Sequence, residues 1–159
     1  MSARADRPHM PTTVREITTD EAWNEAVPIL SQLWEDDDEA TIRSWREEND
    51  YRLFGLYERA ATAGDDAGSE TDTLVAVGGV SIQRILHHQR HAWVHDFVVR
   101  ESRRNEGFGS ELLAWLESWA ADRDCAVLAL ACHEANPEGK TFYEDNGVES
   151  WGWMMETEL

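Results

Sequence analysis

The chain has 159 residues, with 32 acidic and 14 basic side chains and a formal net charge of −18 at pH 7. This length is typical of one domain with a hydrophobic core. The charge argues against nucleic-acid binding, because affinity for phosphate backbones comes largely from lysine and arginine side chains that displace counterions. No apolar run approaches the roughly 18 residues of a membrane-spanning helix, and no secretory signal is present. We therefore expect a cytoplasmic protein without a membrane partner.

Among the 14 basic residues only Lys140 is a lysine, and acidic residues alternate with apolar ones along most of the chain. Dense carboxylates keep a surface hydrated, at a cost in self-repulsion that salt screens. The pattern favours a halophilic protein over an ordinary acidic one. Cys125 and Cys132 are too few for a disulfide framework, and both are predicted to be small buried side chains.

The N-terminal third of the chain is predicted to contain a leader, a strand and two helices. Residues 1–12 have little apolar content and are typical of a flexible leader, which leaves residues 13–159 as a single domain. A short strand is predicted over 13–17. A capping-box pattern and a run of aspartates then indicate the starts of two helices, over 19–34 and 37–48.

Pro28 is expected to kink or divide the first of these helices. Trp23, Trp34 and Trp45 are spaced by eleven residues, close to three helical turns, which places them on similar helix faces. Such a stripe is typical of a hydrophobic core. The alternative is that these tryptophans line a substrate cleft.

The middle of the chain predicts three strands. Residues 51–58 and 73–85 suit a hairpin whose connection, 60–72, has the composition of a mobile loop. The glycine pair Gly78–Gly79 indicates a β-bulge or a close approach by another group. A third strand is predicted over 91–99.

The C-terminal part predicts alternating helices and strands. Helical spacing of leucines indicates the clearest helix of the chain over 110–122, and the apolar run 126–131 is typical of a strand buried on both faces. A further helix over 138–146 is ended by Gly147, and alternating apolar residues indicate a terminal strand over 148–159. The order of elements predicts an α/β fold with a mixed sheet and helices on its faces.

A glycine-rich loop joins the third predicted strand to the clearest helix. Gly107 and Gly109 let the backbone turn tightly, and the amides at the helix N-terminus then form an anion site suited to a pyrophosphate. A Walker A loop is not favoured because Gly109 is followed by Ser110 and a glutamate. A dinucleotide fingerprint is not favoured because Leu112 replaces its third glycine. The remaining pattern is Arg-x-x-Gly-x-Gly, which begins at Arg104.

Together these motifs resemble the GNAT superfamily of acetyl-CoA-dependent N-acetyltransferases. The resemblance is carried by the segments Asp96–Val99, Arg104–Gly109, 110–122, 126–131, Asn136 and Phe142–Gly147. The sequence departs from the family pattern at Gly139, where alanine is usual, and at Val148, where phenylalanine is usual. The resemblance implies a GNAT-like acyl-CoA N-acyltransferase fold, with a central mixed twisted sheet and helices on both faces.

The resemblance also implies where acetyl-CoA, the cosubstrate, binds. The strands over 91–99 and 126–131 would splay apart and admit the pantetheine arm, whose amides would pair with a strand backbone. Amides of the glycine-rich loop would hold the pyrophosphate, and an asparagine would bond to the cofactor on the far side of the slot. The implied cofactor-binding residues are Phe97, Val98, Val99, Arg104, Asn105, Glu106, Gly107, Phe108, Gly109, Ser110 and Asn136.

For acetyl transfer, Tyr143 stands where the family places its general acid, since a phenol can protonate a leaving thiolate. Asp96 is the candidate base that takes the amine proton directly or through water; alternatively it binds the acceptor, or no dedicated base exists. Strand alternation predicts that His95 faces the opposite side, so only one of the two can serve. His87, His91 and His95 would share a face only on a helix, so we expect no metal site.

The resulting hypothesis is an N-acetyltransferase that transfers an acetyl group from acetyl-CoA directly to a primary amine of a small molecule, a peptide or a protein. The alternative is a non-catalytic acyl-CoA-binding regulatory module, and a third hypothesis is an interaction protein whose eight tryptophans form a contact surface. Acceptor candidates include protein N-termini, lysines, polyamines, amino acids and aminoglycoside-like amines. A homodimer is favoured if Trp151 or Trp153 is exposed.

Overall fold

The computed structural model describes residues 10–60, 72–85 and 89–159, so most of the predicted leader and of the loop 60–72 lies outside the described residues. The described residues form five strands and four helices. In chain order these are β1 (Thr12–Glu16), α1 (Asp20–Leu30), α2 (Glu39–Ser44), β2 (Arg52–Glu58), β3 (Thr73–Ile85), β4 (Gln89–Val99), α3 (Phe108–Ala121), β5 (Val127–Leu130) and α4 (Pro137–Asp145). None of the described helices is long and apolar enough to cross a membrane.

The five described strands form one mixed sheet in the order β1-β2-β3-β4-β5. Neighbouring strands are antiparallel except for β4 and β5, which are parallel and are connected through α3. A parallel pair needs such a crossover connection, whereas antiparallel neighbours do not. The predicted mixed sheet is confirmed, and the strand predicted over 73–85 has the observed bounds of β3. Both cysteines, predicted to be buried, are half-buried.

Helices pack on both faces of the sheet, as predicted. On one face, α1 and α2 bury a cluster that includes Ile29 and Ile42. On the other face, α3 buries Leu112 and Leu116. Gly78 permits this close approach, since a Cβ at that position would lie 2.9 Å from Leu116 Cδ1. The two cores hold β3 and β4 between helices on opposite faces, and this fixes the position of the residues described below.

The first helix is shorter than the predicted range 19–34. Thr19 caps α1 with its side chain, and the helix ends at Leu30. Pro28 lies inside α1 and does not divide it. A proline so close to the C-terminal end removes a single backbone hydrogen bond and leaves most of the helix unaffected. Asp38 caps the second helix, α2, whose last turn continues as a short 3₁₀ turn.

Because α1 ends at Leu30, the three evenly spaced tryptophans do not lie on one helix face. Trp23 is 2% exposed within the core, as the core interpretation predicts. Trp34 is 38% exposed and Trp45 is half-buried, and both line a cavity. The core interpretation therefore holds for Trp23, and Trp45 also packs partly against that core. The alternative, a substrate cleft lined by Trp34 and Trp45, stays a prediction.

The C-terminal part differs most from the prediction. Within the described ranges β5 pairs with β4 alone, and Val127 is 45% exposed, so the expected burial on both faces is wrong. Residues 148–159 form no strand, and Trp151 and Trp153 are 80% and 85% exposed. Alternation shows which side chains would share a strand face, but a strand also needs a partner edge in register. A homodimer through this segment stays a prediction, which a light-scattering mass in solution tests.

Candidate active site

A β-bulge shapes the middle of β4. Gly79 pairs with Asp96, whereas the next residue of β3, Val80, pairs with Val94, so His95 is an extra residue in β4. The bulge that the glycine pair predicts is thus confirmed. A bulge breaks the alternation of side chains along a strand. The prediction that His95 and Asp96 face opposite sides is wrong, because both line the same cavity.

Asp96 is held by two donors inside the protein. Its Oδ1 accepts a hydrogen bond from Trp34 Nε1 and its Oδ2 accepts one from the Tyr51 hydroxyl, each at 2.6 Å. Asp96 is 3% exposed, and this burial raises the pKa of its carboxyl group, although the two hydrogen bonds oppose the rise. Gly79 leaves room for the arrangement, since a Cβ there would lie 2.5 Å from Asp96 Oδ2. The carboxylate therefore has a fixed orientation and is more basic than an exposed aspartate.

Tyr51 and His95 lie beside this carboxylate. Burial, assisted by the charge of Asp96, raises the pKa of Tyr51, so its hydroxyl stays protonated and remains a donor. His95 Nε2 lies 2.8 Å from Ser81 Oγ. Burial lowers the pKa of His95, with the charge of Asp96 opposing, and this favours the neutral imidazole at neutral pH. Asp96 and His95 are thus adjacent candidate proton acceptors on β4 in this cavity.

The cavity begins where β4 and β5 separate. Four parallel residue pairs join these strands, and the last of them is Val94 with Leu130. Beyond this pair, and within the described residues, β4 continues to Val99 in register with β3 alone. Val94 and Ala131 both line the cavity, whose volume is about 610 Å³. The end of the parallel pairing therefore leaves an edge of β4 available to an extended ligand.

Phe97 and Val99 turn their backbone groups toward this edge. The N–H of Arg100 donates to the carbonyl of Val75 on β3 at 2.8 Å. Because backbone groups alternate in direction along a strand, Val98 also faces β3, and Phe97 and Val99 face the side where β5 has ended. Of the three backbone contacts that the resemblance implies on β4, two thus face the gap and the third, at Val98, faces the neighbouring strand.

The glycine-rich loop has the backbone conformation of an anion site. Gly107 has a φ of 94° and Asn105 a φ of 63°, and α3 begins directly afterwards at Phe108. Within the described part of the chain, the N–H groups of Asn105 and Gly107 have no backbone acceptor. The N–H of Glu111 donates to the Gly107 carbonyl at 3.1 Å, so Gly109 and Ser110 lie in the first turn of α3, whose N–H groups an α-helix itself leaves without acceptors. Free amides at a helix N-terminus, together with the helix dipole, bind anions. The loop fits a diphosphate on this evidence.

The three arginines beside the loop have different partners. Arg103 contacts Glu58 at 2.8 Å and Glu106 at 3.0 Å, and hydrogen bonds to these carboxylates raise its pKa. Arg100 donates to a carbonyl of β3 at 3.1 Å. Arg104 is exposed, and its guanidinium makes a long contact of 3.4 Å, through Nε, to the Val99 carbonyl. Arg103 therefore balances the charge of Glu106, while Arg104 remains available to a phosphate.

Helix α4 brings Tyr143 to the end of β4. Its neighbour Phe142 stacks on Phe97 with ring centroids 5.8 Å apart, and the Tyr143 ring lies 6.1 Å from Phe97. Phe142 also lies against Gly109, where a Cβ would be 3.1 Å from its ring. Burial raises the pKa of Tyr143 to about 12, with a further contribution from Cys132. The phenol is therefore protonated at neutral pH, as a general acid must be.

Asn136, a predicted cofactor-binding residue, caps the N-terminus of α4. Its Oδ1 accepts a hydrogen bond from the Gly139 N–H at 2.9 Å. A Cβ at position 139 would lie 2.5 Å from Asn136 Nδ2, so glycine in place of the usual alanine is compatible with this cap. Because the cap uses Oδ1, a ligand would meet the Nδ2 donors of Asn136.

Sequence reasoning missed the partners of Asp96. Trp34 and Tyr51 lie 62 and 45 positions away from it in the chain. No local pattern connects residues so far apart. The glycine pair that predicts the bulge is the one signal in the sequence that side chains of β4 are redirected.

The described residues contain no group of three or more His, Cys, Asp or Glu side chains placed to hold a metal ion. His91 and His95 both lie on β4, as the strand interpretation predicts. His87 lies outside the described residues.

Comparisons with known proteins bear on this site. The model of the family described as "Acetyltransferase (GNAT) family" matches residues 19–148. The uncharacterized N-acetyltransferase YhdJ of Bacillus subtilis (strain 168) is 26% identical over 136 residues, which cover 83% of this chain and 87% of that protein. The structure of a transcriptional regulator from Bacillus halodurans C-125 has a TM-score of 0.71 at 18% identity, over 94% of this chain and 100% of that one. The structure of aminoglycoside N-acetyltransferase AAC(6')-Iy in complex with CoA has a TM-score of 0.72 at 12% identity, over 100% of this chain and 99% of that one.

Proposed function

Because the chain belongs to the GNAT family of acetyltransferases, we propose that it transfers an acetyl group from acetyl-CoA directly to a primary amine of a small molecule or protein. The observation that carries the proposal is the position of the loop and first-turn amides, at the N-terminus of α3 beside the point where β4 and β5 separate. The amides can hold a diphosphate, and the separation can admit a thioester arm. A non-catalytic acyl-CoA-binding regulatory module is the second candidate, and it predicts the same binding without transfer.

The proposed cofactor site is built mainly from backbone groups. Amides of the loop and of the first turn of α3 hold the diphosphate, with the Arg104 guanidinium beside them. The Arg104 N–H itself donates to the Glu101 carbonyl at 3.3 Å. The backbone of Phe97 and Val99 pairs with the amides of the pantetheine arm, while Val98 supports the strand from the core, where it is 5% exposed. Asn136 donates to the cofactor through Nδ2. Backbone recognition of this kind needs a rigid strand and helix more than particular side chains.

Two side chains carry the proton transfers in this proposal. Bound acetyl-CoA supplies the acetyl group as a thioester. Asp96 accepts a proton from the acceptor amine, directly or through a water, as the amine nitrogen bonds to the acetyl carbonyl carbon. The carbon–sulfur bond breaks, and Tyr143 Oη donates its proton to the departing sulfur. Burial supports the role of Asp96, since it raises the pKa of the carboxyl group, and burial also keeps the Tyr143 hydroxyl protonated at neutral pH by raising its pKa to about 12.

Cofactor binding is tested by Gly109→Val. The new side chain would meet Phe142 and Val99, since a Cβ at position 109 lies 3.1 Å from the first and 3.4 Å from the second. A shift of the loop by this crowding misdirects its amides, and we expect the Kd for CoA, measured by calorimetry, to rise about tenfold or more. Gly152→Val is the matched control, because no heavy atom lies within 4 Å of a Cβ at that position.

Two measurements on the unmodified protein, CoA binding by calorimetry and thiol release with amines, decide between the acetyltransferase and the regulatory module. Absence of CoA binding would remove the proposed function altogether. Binding of acetyl-CoA without thiol release in the presence of any amine class would favour the regulatory module. Thiol release that depends on an amine supports the enzyme.

The acidic composition leads us to propose adaptation to high salt. With a net charge of −18, like charges repel in the folded state, and salt at 1 M screens this repulsion beyond about 3 Å. A gain of about 2 kcal/mol raises the Tm of a domain this size by roughly 4–8 °C, and we expect a shift of that order between 0.1 and 2 M KCl. Circular dichroism melts measure it. A Tm that falls or stays constant as KCl increases would contradict the proposal.

A further inference from the structure

The cavity at the end of the β4–β5 pairing is placed to receive the acceptor. It lies on the face of the sheet that α1 and α2 cover, and Val94 and Ala131 form its edge at the last pair of the parallel ladder. Tyr143 and the glycine-rich loop lie with Phe97 and Phe142 at the end of β4. The acceptor and the thioester would therefore meet where the two strands separate. A volume of about 610 Å³ suits a small molecule or a single side chain better than a folded partner.

Aromatic rings form much of the cavity wall. They belong to Trp34, Trp45, Tyr51 and Trp93. Trp34 and Trp45 meet edge to face, at an interplanar angle of 83° and a centroid distance of 6.1 Å. Trp34 is also fixed at its indole nitrogen by the hydrogen bond to Asp96. Rings held in this way present faces that attract a positively charged group and pack against an aliphatic stem.

Among the described residues, the charged groups that line the cavity are all acidic. Its lining includes the carboxylates of Asp37, Glu48, Asp50 and Asp96, and neither lysine nor arginine is among the lining residues. The three carboxylates other than Asp96 belong to exposed residues, and none of them forms a salt bridge within the described part of the chain. His95, the remaining ionisable group apart from Tyr51, has a lowered pKa and adds no positive charge at neutral pH. A concave site with one sign of charge concentrates ligands of the other sign.

We propose that the acceptor is an aliphatic amine that carries a second positive charge, as in a diamine or polyamine. The reacting nitrogen enters toward Asp96 and loses its proton there. The second ammonium group stays charged, lies among the tryptophan rings and is attracted by Asp37, Glu48 and Asp50. This inference rests on the proposed function and specifies its acceptor.

A matched series of acceptors tests the charge requirement. Putrescine, 4-aminobutanol and 4-aminobutyrate share a four-carbon stem with one primary amine, and their other end is cationic, neutral and anionic respectively. We expect kcat/KM for thiol release from acetyl-CoA to fall about tenfold from putrescine to 4-aminobutanol, and further for 4-aminobutyrate. In 1 M KCl the difference should shrink, because the screening length falls to about 3 Å. Equal or better use of 4-aminobutyrate would overturn the inference.

A double variant tests the residues. Glu48→Gln with Asp50→Asn should raise the KM for putrescine about tenfold, and the preference for putrescine over 4-aminobutanol should decrease by the same factor. Glu117→Gln with Asp122→Asn is the matched control, since it removes the same two charges from exposed positions at the C-terminal half of α3 and beyond its end. An unchanged preference in the first variant, or an equal loss in the control, would overturn the inference.

Failure of the inference is distinguishable from failure of the proposed function. Tryptophan fluorescence reports putrescine binding without acetyl-CoA, because three tryptophans line the cavity. Transfer to neutral or anionic amines with no preference for putrescine would leave the acetyltransferase in place and remove the cationic acceptor. Saturable quenching by putrescine, but not by 4-aminobutyrate, in a protein that releases no thiol would support the cavity's cation preference and remove the reaction. If putrescine and spermidine cause no quenching and accept no acetyl group, the inference is overturned, whatever CoA calorimetry shows.

Discussion

Tyr143→Phe should lower kcat for acetyl transfer by about 10²–10⁴-fold, the usual contribution of a general acid, while the Kd for CoA changes little. The variant removes only the hydroxyl, and the ring contacts with Phe97 and Phe142 persist. The pKa of Tyr143 is raised to about 12, so the proton to be donated is present throughout the neutral range and is lost only as the pH rises toward that value. Assays of thiol release from acetyl-CoA give kcat, and calorimetry gives the Kd for CoA.

Tyr57→Phe is the matched control for this prediction. Tyr57 lies on β2, where its ring contacts the Arg15 guanidinium at 5.0 Å, and it takes no part in the proposed chemistry. The Tyr57→Phe variant should have the same kcat as the unmodified protein. A Tyr143→Phe protein with unchanged kcat would remove Tyr143 from the mechanism, and a parallel loss of CoA affinity would indicate a role in binding.

Asp96→Asn should also lower kcat/KM by about 10²–10⁴-fold, because an amide cannot accept the amine proton. Asparagine keeps the shape of the side chain and one acceptor for Trp34 or Tyr51, so the cavity is preserved as far as one substitution allows. Burial raises the pKa of Asp96, and the base form is lost as the pH falls through that raised pKa. The unmodified enzyme should therefore lose kcat/KM at acidic pH with an apparent pKa above that of an exposed aspartate. In the Asp96→Asn variant, kcat/KM should not show this decrease at acidic pH, which is the acidic limb of the pH profile.

His95→Gln decides between the two groups that share the cavity. Glutamine retains a hydrogen-bonding group for Ser81 and removes the imidazole that could serve as a base. If Asp96 is the base, the acidic limb of the pH profile remains in His95→Gln. A limb that disappears in His95→Gln and persists in Asp96→Asn would transfer the role to His95. Thermal melts of both variants show whether a loss of activity comes from removal of the base or from unfolding of the protein.

Local patterns predicted most of the elements around the proposed cofactor site. The strand before the loop, the glycines at 107 and 109, and the leucine spacing of α3 are contiguous in the chain, and the structure places them as a strand, a turn and a helix. The turn and the helix of this unit are stabilised by contacts between residues close in sequence, so their pattern is visible there. The predicted terminal strand over 148–159 was wrong for the opposite reason, because pairing depends on an edge supplied from elsewhere.

The sequence by itself determined the mixed sheet, its helices and the strand–loop–helix unit that suits a diphosphate. Only the tertiary structure decided the acceptor side. There a single bulge turns His95 and Asp96 into one cavity, and Trp34 and Tyr51 reach Asp96 from 62 and 45 positions away. Contacts over such distances follow from how the helices pack on the sheet, and packing depends on the whole core and not on any short run of residues.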